Sequence, residues 1–300
     1  MISTSLTDDL ETYARALEAS GEFRILRRLS KREAVPVPEG VATRRGLFVD
    51  VETTGLDPSQ DEIIELAMVP FIYGLDGEIY EIEAPFHRLR QPSRPIPTEI
   101  TALTGIDDAM VANAVIDPLE VANFIEEAVL VIAHNAAFDR RFLERFCESF
   151  TKVAWACSMT QVDWSSAGHE GLKLSYLASG AGFFYDRHRA SHDCLAALEL
   201  LARPLVESGR PAFAELLERA RAPTWRIWAE DAPFDMKDAL KSRGYRWNGD
   251  PNGKPRAWYV DVAEARRETE FEYLKNEIYG RDVTLPMYRI DAYNRFSDRV

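Results

Sequence analysis

The chain has 300 residues, of which 46% are hydrophobic and 11% aromatic, and its formal net charge is −13 at pH 7. This length and apolar content support a sizeable folded core and exclude a wholly disordered chain. The longest aliphatic run, Ala128 to Ala133, is too short to span a bilayer, and residues 1–20 lack the pattern of a signal peptide. We therefore expect a cytoplasmic protein without a membrane span.

The first 45 residues are predicted to form a helical extension and a linker. An apolar stripe at helical spacing consists of Leu10, Tyr13, Ala14 and Leu17. Gly21 ends this helix, and the segment from Phe23 to Leu29 predicts a second one. Residues 34–40 contain two prolines and a glycine, which is typical of a linker. We expect the helix pair to dock on the next domain or on a partner.

The segment from Gly46 to Leu56 carries two acidic residues at the end of an apolar run. That run has strand length and stops at a glycine turn. Residues two apart on a strand share a face, so Asp50 and Glu52 project together from the sheet. Two carboxylates this close raise each other's pKa unless a cation lies between them. The pair indicates a divalent-metal site, although an isolated Asp-x-Glu is also compatible with two solvated charges.

The segments that follow predict a mixed sheet flanked by helices. Strand-like runs at 63–73 and 79–86, joined at Gly74 to Gly77, predict an antiparallel meander. Later patterns alternate between strand and helix, with helices predicted near residues 98–103, 118–127, 172–177 and 191–201, and strands near residues 130–133 and 153–157. Antiparallel strands first and alternation afterwards indicate an α/β fold.

A second polar motif follows the strand at 130–133, where His134-Asn-Ala-Ala-Phe-Asp139 leads into a helix with apolar residues at helical spacing. Asp139 is expected in the first turn of that helix. There the positive end of the helix dipole and free backbone N–H groups stabilise a carboxylate or a phosphate. Helix capping alone would also explain one aspartate at this position.

A third motif contains two histidines and an aspartate ahead of a helical apolar stripe. Ser191 is the expected cap of this helix. Positions 188 and 193 could not share a helix face, so His188 is expected on the preceding loop while Asp193 projects from the first turn. A fixed ligand and a general base on a mobile loop suit hydrolytic chemistry. His192 is the alternative base, and we favour His188.

Together these motifs resemble the DEDDh branch of the DEDD (DnaQ-like) 3′-to-5′ exonucleases over about residues 46–206. The matching runs, in family order, are Phe-Val-Asp50-Val-Glu52-Thr-Thr-Gly-Leu, Pro95-Ile-Pro-Thr-Glu-Ile-Thr-Ala-Leu-Thr-Gly-Ile106, His134-Asn-Ala-Ala-Phe-Asp139 and His188-x-Ala-x-x-Asp193. The third motif carries a histidine, as in the h branch, and none of the catalytic positions is substituted.

The resemblance implies a ribonuclease-H-like mixed five-stranded sheet flanked by helices, with two Mg²⁺ or Mn²⁺ ions as cofactors. Asp50 would bridge both ions, Glu52 and Asp193 would complete one site, and Asp139 would help to hold the other. His188 would take the proton from the attacking water. Ligands that are all oxygen, without cysteine, agree with these hard cations.

The resemblance also implies contacts to the terminal nucleotides from Thr53, Leu56, Thr104, Gly105, Ile106, Asn135 and Phe138. Phe138 is equally compatible with a role in anchoring its helix. The expected substrate is single-stranded DNA or a DNA 3′ end, in proofreading or repair and in association with a DNA polymerase. An exoribonuclease is an alternative, because the motifs do not reveal whether a 2′-hydroxyl is accepted. A non-catalytic nucleic-acid or polymerase adaptor on the same fold is another.

Charge is distributed unevenly along the chain. Residues 46–223 contain 14 Lys and Arg against 28 Asp and Glu, whereas residues 224–300 contain 14 of each. An acidic catalytic segment argues against tight binding driven by phosphate contacts alone. The expected division is an extension at 1–45, an exonuclease domain at 46–210 and a C-terminal α+β module at 224–300.

The C-terminal module is predicted from a helix at Asp235 to Arg243, a hairpin around residues 248–255 and a helix from Ala263 to Tyr279. Its aromatic residues, interleaved with Lys and Arg, are Tyr245, Trp247, Trp258 and Tyr259. They are compatible with base stacking along a single strand and also with a thin hydrophobic core.

Overall fold

The structure is a computed structural model that describes residues 4–249 and 253–300. Its largest element is a six-stranded mixed sheet covered by helices on both faces. This arrangement confirms the predicted α/β class. A separate four-stranded sheet near the end of the chain forms the C-terminal module.

The strands are numbered in chain order, and three of them are only two residues long. They are β1 (Arg27–Arg28), β2 (Thr43–Thr53), β3 (Ile63–Gly74), β4 (Ile79–Ile82), β5 (Phe86–Leu89), β6 (Leu130–Ala133), β7 (Ala154–Cys157), β8 (Phe183–Phe184), β9 (Thr224–Ala229), β10 (Arg246–Trp247), β11 (Trp258–Ala263) and β12 (Met287–Ile290).

The α-helices are numbered in the same way. They are α1 (Thr4–Ala19), α2 (Thr98–Thr104), α3 (Asp108–Val111), α4 (Pro118–Ile125), α5 (Ala136–Phe146), α6 (Leu174–Gly180), α7 (Ala190–Leu201), α8 (Ala212–Arg221), α9 (Lys237–Ser242) and α10 (Arg267–Tyr273).

The main sheet has the order β4-β3-β2-β6-β7, with β5 also paired to β3. Strands β6 and β7 run parallel to β2, whereas β3 runs antiparallel to it. The single strand predicted from Ile79 to Phe86 is two strands, because Pro85 cannot donate a hydrogen bond to the sheet and interrupts the run. The sheet therefore has six strands rather than five.

Strand β2 lies at the centre of the sheet and separates two hydrophobic cores. Leu47 and Val49 pack with α4 and α5 on one face, and Phe48 packs with α6, α7 and α8 on the other. This alternation follows from the two-residue period of a strand. It places Asp50 and Glu52 on the α7 face, because they continue the series that begins with Phe48.

The N-terminal extension agrees with the sequence only in its first helix. Helix α1 is present, but the second predicted helix, from Phe23 to Leu29, is wrong. Instead, Arg27 and Arg28 form β1 and pair in parallel with β8. Arg27 also donates hydrogen bonds to Glu11 and Glu18 of α1. These contacts to distant parts of the chain hold the segment extended, and they override its local helical pattern.

The C-terminal module is an antiparallel sheet of order β10-β11-β9-β12 with a hydrophobic core on one face. The predicted hairpin is present as β10 and β11, and residues 250–252 of its turn lie outside the described residues. The sequence did not predict β9 or β12.

Both helices predicted in this module have different bounds in the structure. The first is the shorter α9, and Asp235 lies in a 3₁₀ turn at Phe234–Met236 rather than at the helix cap. The second starts four residues late as α10, because β11 extends to Ala263, and it continues as a π-helix at Leu274–Tyr279.

The end of the chain docks on the edge of the main sheet. The backbone N–H of Trp155 donates to the carbonyl of Ala292 at 2.7 Å. Arg140 of α5 is fully buried and donates to the carbonyls of Tyr293 and Arg295 at 2.6 and 2.7 Å. Its guanidinium also pairs with Glu144 at 2.7 Å. The C-terminal segment is thereby fixed to the same helix that carries Asp139.

Candidate active site

Three carboxylates meet at the end of β2. One oxygen atom each from Asp50, Glu52 and Asp193 can be chosen so that all lie within 4.8 Å of one another. Asp50 and Glu52 come from the strand, and Asp193 comes from the first turn of α7, which covers the same face of the sheet. The strand and helix positions predicted from the sequence therefore bring these three acids together.

Asp139 reaches the same end of β2 from the opposite face. Strand β6 pairs with β2 only from Gly46 to Phe48, so the backbone beyond Phe48 is open on that side. The N–H of Val51 there donates to Oδ1 of Asp139 at 3.2 Å. Asp139 lies in the first turn of α5, as predicted, and only 2% of its surface is exposed.

The carboxylates perturb each other strongly. Burial raises the pKa of Glu52 to about 8, and the charges of Asp193, Glu65 and Asp139 add to the effect. Burial also raises the pKa of Asp139 to about 8, and that of Asp50 rises well above its usual range through burial and the charges of Asp139 and Asp193. Among neighbouring cations, Arg189 lowers the pKa of Glu52. Negative charge is concentrated here without matching positive charge from the chain.

This arrangement fits hard divalent cations. All the converging donors are carboxylate oxygens, which Mg²⁺ and Mn²⁺ accept. Their raised pKa values show that the ionised cluster is unfavourable without a compensating charge. A bound cation would remove this penalty, because it interacts favourably with the ionised form of every ligand.

His188 lies on the loop directly before α7, where the third motif predicts it. Its backbone is in the left-handed region, with φ of 57°, so the loop turns sharply at this residue. The backbone N–H of Arg189 donates to Oδ2 of Asp193 at 3.2 Å, and the N–H of His188 also interacts with that carboxylate. The alternative base, His192, is exposed on α7, and its Nδ1 lies 3.2 Å from the carbonyl oxygen of Asp186.

The predicted cap of α7, Ser191, is wrong, and two acids explain why. The helix begins at Ala190, whose N–H donates to Oε2 of Glu65 at 3.0 Å. The preceding N–H of Arg189 is taken by Asp193. Carboxylates therefore satisfy the free amides at this helix start, which also stabilises them through the helix dipole.

Sequence reasoning missed two side chains that hold the site in shape. Glu65 of β3 is fully buried, and besides Ala190 it binds His87 at 2.6 Å and Arg189 at 3.1 Å. The hydroxyl of Tyr185 donates to Oδ1 of Asp193 at 2.8 Å. A charged residue inside the apolar run of β3 was a visible signal for Glu65. Nothing in the local pattern pointed to Tyr185.

The residues expected to contact nucleotides divide into exposed and buried ones. Four have accessible surface: Leu56 is 81% exposed, Gly105 and Asn135 are exposed, and Phe138 is half-buried against Phe142. The backbones of Gly105 and Asn135 are left-handed, with φ of 71° and 86°.

The other three have buried side chains. Ile106 has no exposed surface and belongs to a small core with Ile64 and Ile96. Thr104 donates its hydroxyl to the carbonyl of Ile100, and Thr53 donates to that of Gly55. In this structure, the side chains of Thr53, Thr104 and Ile106 therefore support the turns rather than present their own surfaces.

The mixed sheet with helices on both faces has the ribonuclease-H-like arrangement, and the carboxylate cluster lies at the end of its central strand, β2. The RNase T exonuclease family model matches residues 47–201. The chain belongs to this exonuclease family.

Relatives and solved structures agree with this assignment. The chain is 46% identical over 190 residues to a DNA polymerase III subunit epsilon-like protein of Rhodobacter capsulatus, covering 57% of this chain and 26% of that protein. It is 30% identical over 187 residues to DNA polymerase III subunit epsilon of Treponema pallidum, covering 58% and 82%. A zinc-bound ExoI–ssDNA complex of E. coli has the same fold, with a TM-score of 0.51, 13% identity and coverage of 73% and 63%.

Other relatives are much longer proteins. The chain spans 15% of the PolC-type DNA polymerase III of Caldanaerobacter subterraneus and 8% of that of Thermotoga petrophila. Within residues 4–249 and 253–300, no helix is both long and apolar enough to cross a membrane.

Proposed function

We propose that this protein is a 3′-to-5′ exonuclease that hydrolyses DNA to nucleoside 5′-monophosphates with the help of two divalent metal ions, in proofreading or repair. The observation that carries the proposal is the convergence of Asp50, Glu52 and Asp193 within 4.8 Å, beside the buried Asp139 and the loop residue His188. Glu52, Asp193 and Asp50 would hold one ion, and Asp50 and Asp139 the second. When bound, such ions activate water and stabilise the departing oxygen.

The roles of the chain's own groups follow from their positions. The imidazole of His188 accepts a proton from the attacking water, as a general base on a loop that can adjust to substrate. As the water oxygen bonds to phosphorus, the bond from phosphorus to the 3′ oxygen of the preceding nucleotide breaks. The phosphate leaves with the terminal nucleoside. The departing 3′ oxygen takes up a proton from solvent, so the shortened strand ends in a 3′-hydroxyl. Tyr185 and Glu65 position Asp193 and the His188 loop through the hydrogen bonds described above.

Surface residues near the site are proposed to hold the terminal nucleotides. Leu56 projects from the turn after β2 and is largely exposed. Asn135 precedes α5, one helical turn before Asp139, and Phe138 directly precedes Asp139 in the first turn. Gly105, in the turn after α2, completes this set. Thr53, Thr104 and Ile106 take part through their backbones and by shaping the turns.

DNA is the proposed substrate, because the relatives described above are named as DNA polymerase III proteins or as epsilon-like proteins. The same names support the proposal that the protein works together with a polymerase. We further propose that residues 46–210 carry the chemistry, and that residues 1–45 and 224–300 serve as accessory segments.

The proposal is tested by degradation of labelled oligonucleotides with Mn²⁺. The wild type is expected to shorten DNA blocked at the 5′ end, to leave DNA blocked at the 3′ end intact, and to release nucleoside 5′-monophosphates. A matched RNA oligomer tests whether the enzyme accepts a 2′-hydroxyl on the sugar. Asp50→Ala should abolish all digestion, while circular dichroism confirms that the variant is folded. Undiminished digestion by Asp50→Ala, or shortening from the 5′ end, would overturn the proposal.

A further inference from the structure

A groove of about 790 Å³ lies between the exonuclease domain and the C-terminal module. On one side it is lined by Asn135 and Arg141, at and after the start of α5, and by residues 159–161, which follow β7. On the other side it is lined by β9, β10 and β11 and by residues 295–300.

The groove opens beside the carboxyl ends of the central strands, where the carboxylate cluster also lies. Strands β2, β6 and β7 are parallel neighbours, so their carboxyl ends lie side by side. The cluster lies at the end of β2, Asn135 follows β6, and Met159 follows β7. Adjacent strands are separated by about 4.8 Å, so the groove begins roughly 10 Å from Asp50. A single strand held in the cluster by its 3′ end would reach it within about three nucleotides, even at the rise of about 3.4 Å per nucleotide that a stacked strand has in a duplex.

The charge of the groove is opposite to that of the domain beside it. The lining contains six cationic side chains and two carboxylates. Arg226 is paired with Asp261 at 2.7 Å, Arg141 with Asp298 at 2.8 Å and Arg219 with Glu215 at 2.6 Å. Arg246 is exposed and has no carboxylate partner within the described parts of the chain. The acidic exonuclease domain is thus bordered by a basic surface on the side that continues its active site.

One face of the C-terminal sheet lines this groove. The strand register places Arg246, Tyr259 and Trp228 abreast on three neighbouring strands, and all three line the groove. The hydrophobic core of the module occupies the opposite face, with Ile227 and Val262. This face is therefore not needed for the module's own core.

The two interpretations of the module's aromatic residues apply to different side chains. Tyr245 is buried in the module's core and donates its hydroxyl to Glu270, and Trp258 packs against that core. Tyr259 faces the groove, where its ring centre lies 4.7 Å from the guanidinium of Arg226 and 4.9 Å from the ring centre of Trp228. Guanidinium groups and aromatic rings together are the usual means of holding a strand without sequence preference.

We propose that this groove binds the single-stranded part of the substrate, upstream of the 3′-terminal nucleotides that enter the carboxylate cluster. The inference rests on the proposed exonuclease function and extends it to the C-terminal module. The basic side chains bind phosphates, and Tyr259 with its flanking arginines contacts bases. The groove supplies the positive charge for strand binding that the exonuclease domain lacks.

The test uses the full chain with Arg219→Glu and Arg246→Glu combined, because both arginines are exposed in the groove lining. The matched control combines Arg44→Glu and Lys152→Glu. It makes the same change in net charge at exposed positions near the starts of β2 and β7. These positions lie at the amino ends of the strands, away from the carboxylate cluster. Initial rates are measured on a 20-nucleotide single strand of DNA over a range of salt concentrations. The p-nitrophenyl ester of thymidine 5′-monophosphate, too short to reach the groove, is measured in parallel.

We expect the groove variant to raise KM for the long strand roughly tenfold or more, with kcat nearly unchanged. The slope of log KM against log salt should fall by about 1.4, which is about 0.7 for each of two lost phosphate contacts. The control variant should stay within about twofold of wild type, and both variants should hydrolyse the ester normally.

The possible failures are distinguishable. If wild type degrades the long strand but the groove variant keeps its KM and salt slope, the groove inference is overturned and the exonuclease proposal stands. A control variant that loses as much as the groove variant would overturn it as well. If wild type hydrolyses neither substrate, the proposed function itself fails.

Discussion

Replacing Glu52 with Gln should stabilise the metal-free protein while weakening its response to metal. The oxygens of Asp50, Glu52 and Asp193 lie within 4.8 Å of one another. At an effective dielectric constant of about 20, two full charges at this distance repel by about 3.5 kcal/mol. Because the pKa of Asp50 is also raised, only part of this repulsion is present near neutral pH. We expect a gain of roughly 2 kcal/mol in the free energy of unfolding, or about 4–8 °C in Tm.

The raised pKa of Glu52 determines how the stability of the metal-free protein changes with pH. Burial and neighbouring charges raise the pKa of Glu52 in the folded chain to about 8, above its ordinary value of 4.5. Its contribution to stability is fully present below the unfolded pKa and is lost as pH rises toward the folded pKa. The Tm of metal-free wild type should therefore fall between about pH 5 and 8, and the fall should be shallower for Glu52→Gln.

Thermal unfolding in EDTA and in Mn²⁺ measures both effects. Mn²⁺ at 100 times its Kd should stabilise wild type by about 2.7 kcal/mol, and Glu52→Gln should gain much less at the same concentration. Glu78→Gln, at an exposed position in the turn between β3 and β4, is the matched control and should behave like wild type. The reasoning is refuted if Glu52→Gln is less stable than wild type in EDTA and responds equally to Mn²⁺.

Three further substitutions test separate parts of the structure. Glu65→Gln should lower kcat on DNA about tenfold or more with little change in KM, because the loop carrying His188 loses a buried charged anchor; unchanged kcat in steady-state assays would contradict this role. Leu56→Ala should change the urea-unfolding free energy by less than about 0.5 kcal/mol, since the side chain is exposed, yet raise KM; a stability loss without a KM effect would make Leu56 structural. Arg140→Met should cost about 3 kcal/mol in urea unfolding, because it removes the donor to the carbonyls of Tyr293 and Arg295 and one of the two arginines paired with Glu144. A neutral result would show that the C-terminal segment docks without it.

The sequence was most informative where a local pattern determines the structure. The alternation along β2 places Asp50 and Glu52 on one face, and the helical stripes after Asp139 and Asp193 place those acids in first turns. These rules act over a few residues and need no knowledge of the tertiary structure. The exonuclease resemblance was carried by the same short runs.

The remaining features depend on contacts between distant segments. Glu65 accepts a hydrogen bond from the backbone N–H of Ala190, 125 positions later, and α7 begins there rather than at the expected cap, Ser191. Arg27 and Arg28 are extended because β8 pairs with them, although their local pattern is helical. The residues on the groove face of the C-terminal sheet are set by the register between β9 and β11. The sequence did not predict β9. Local patterns cannot specify such pairings.

The central claim, that four acids from three separate segments hold a pair of cations, is tested most directly by calorimetric titration of the metal-free protein with Mn²⁺. We expect two ions bound per wild-type chain and loss of binding in Asp50→Ala, since that carboxylate is proposed to contact both. A wild type that binds no Mn²⁺, or an Asp50→Ala variant that still binds two ions, would contradict it.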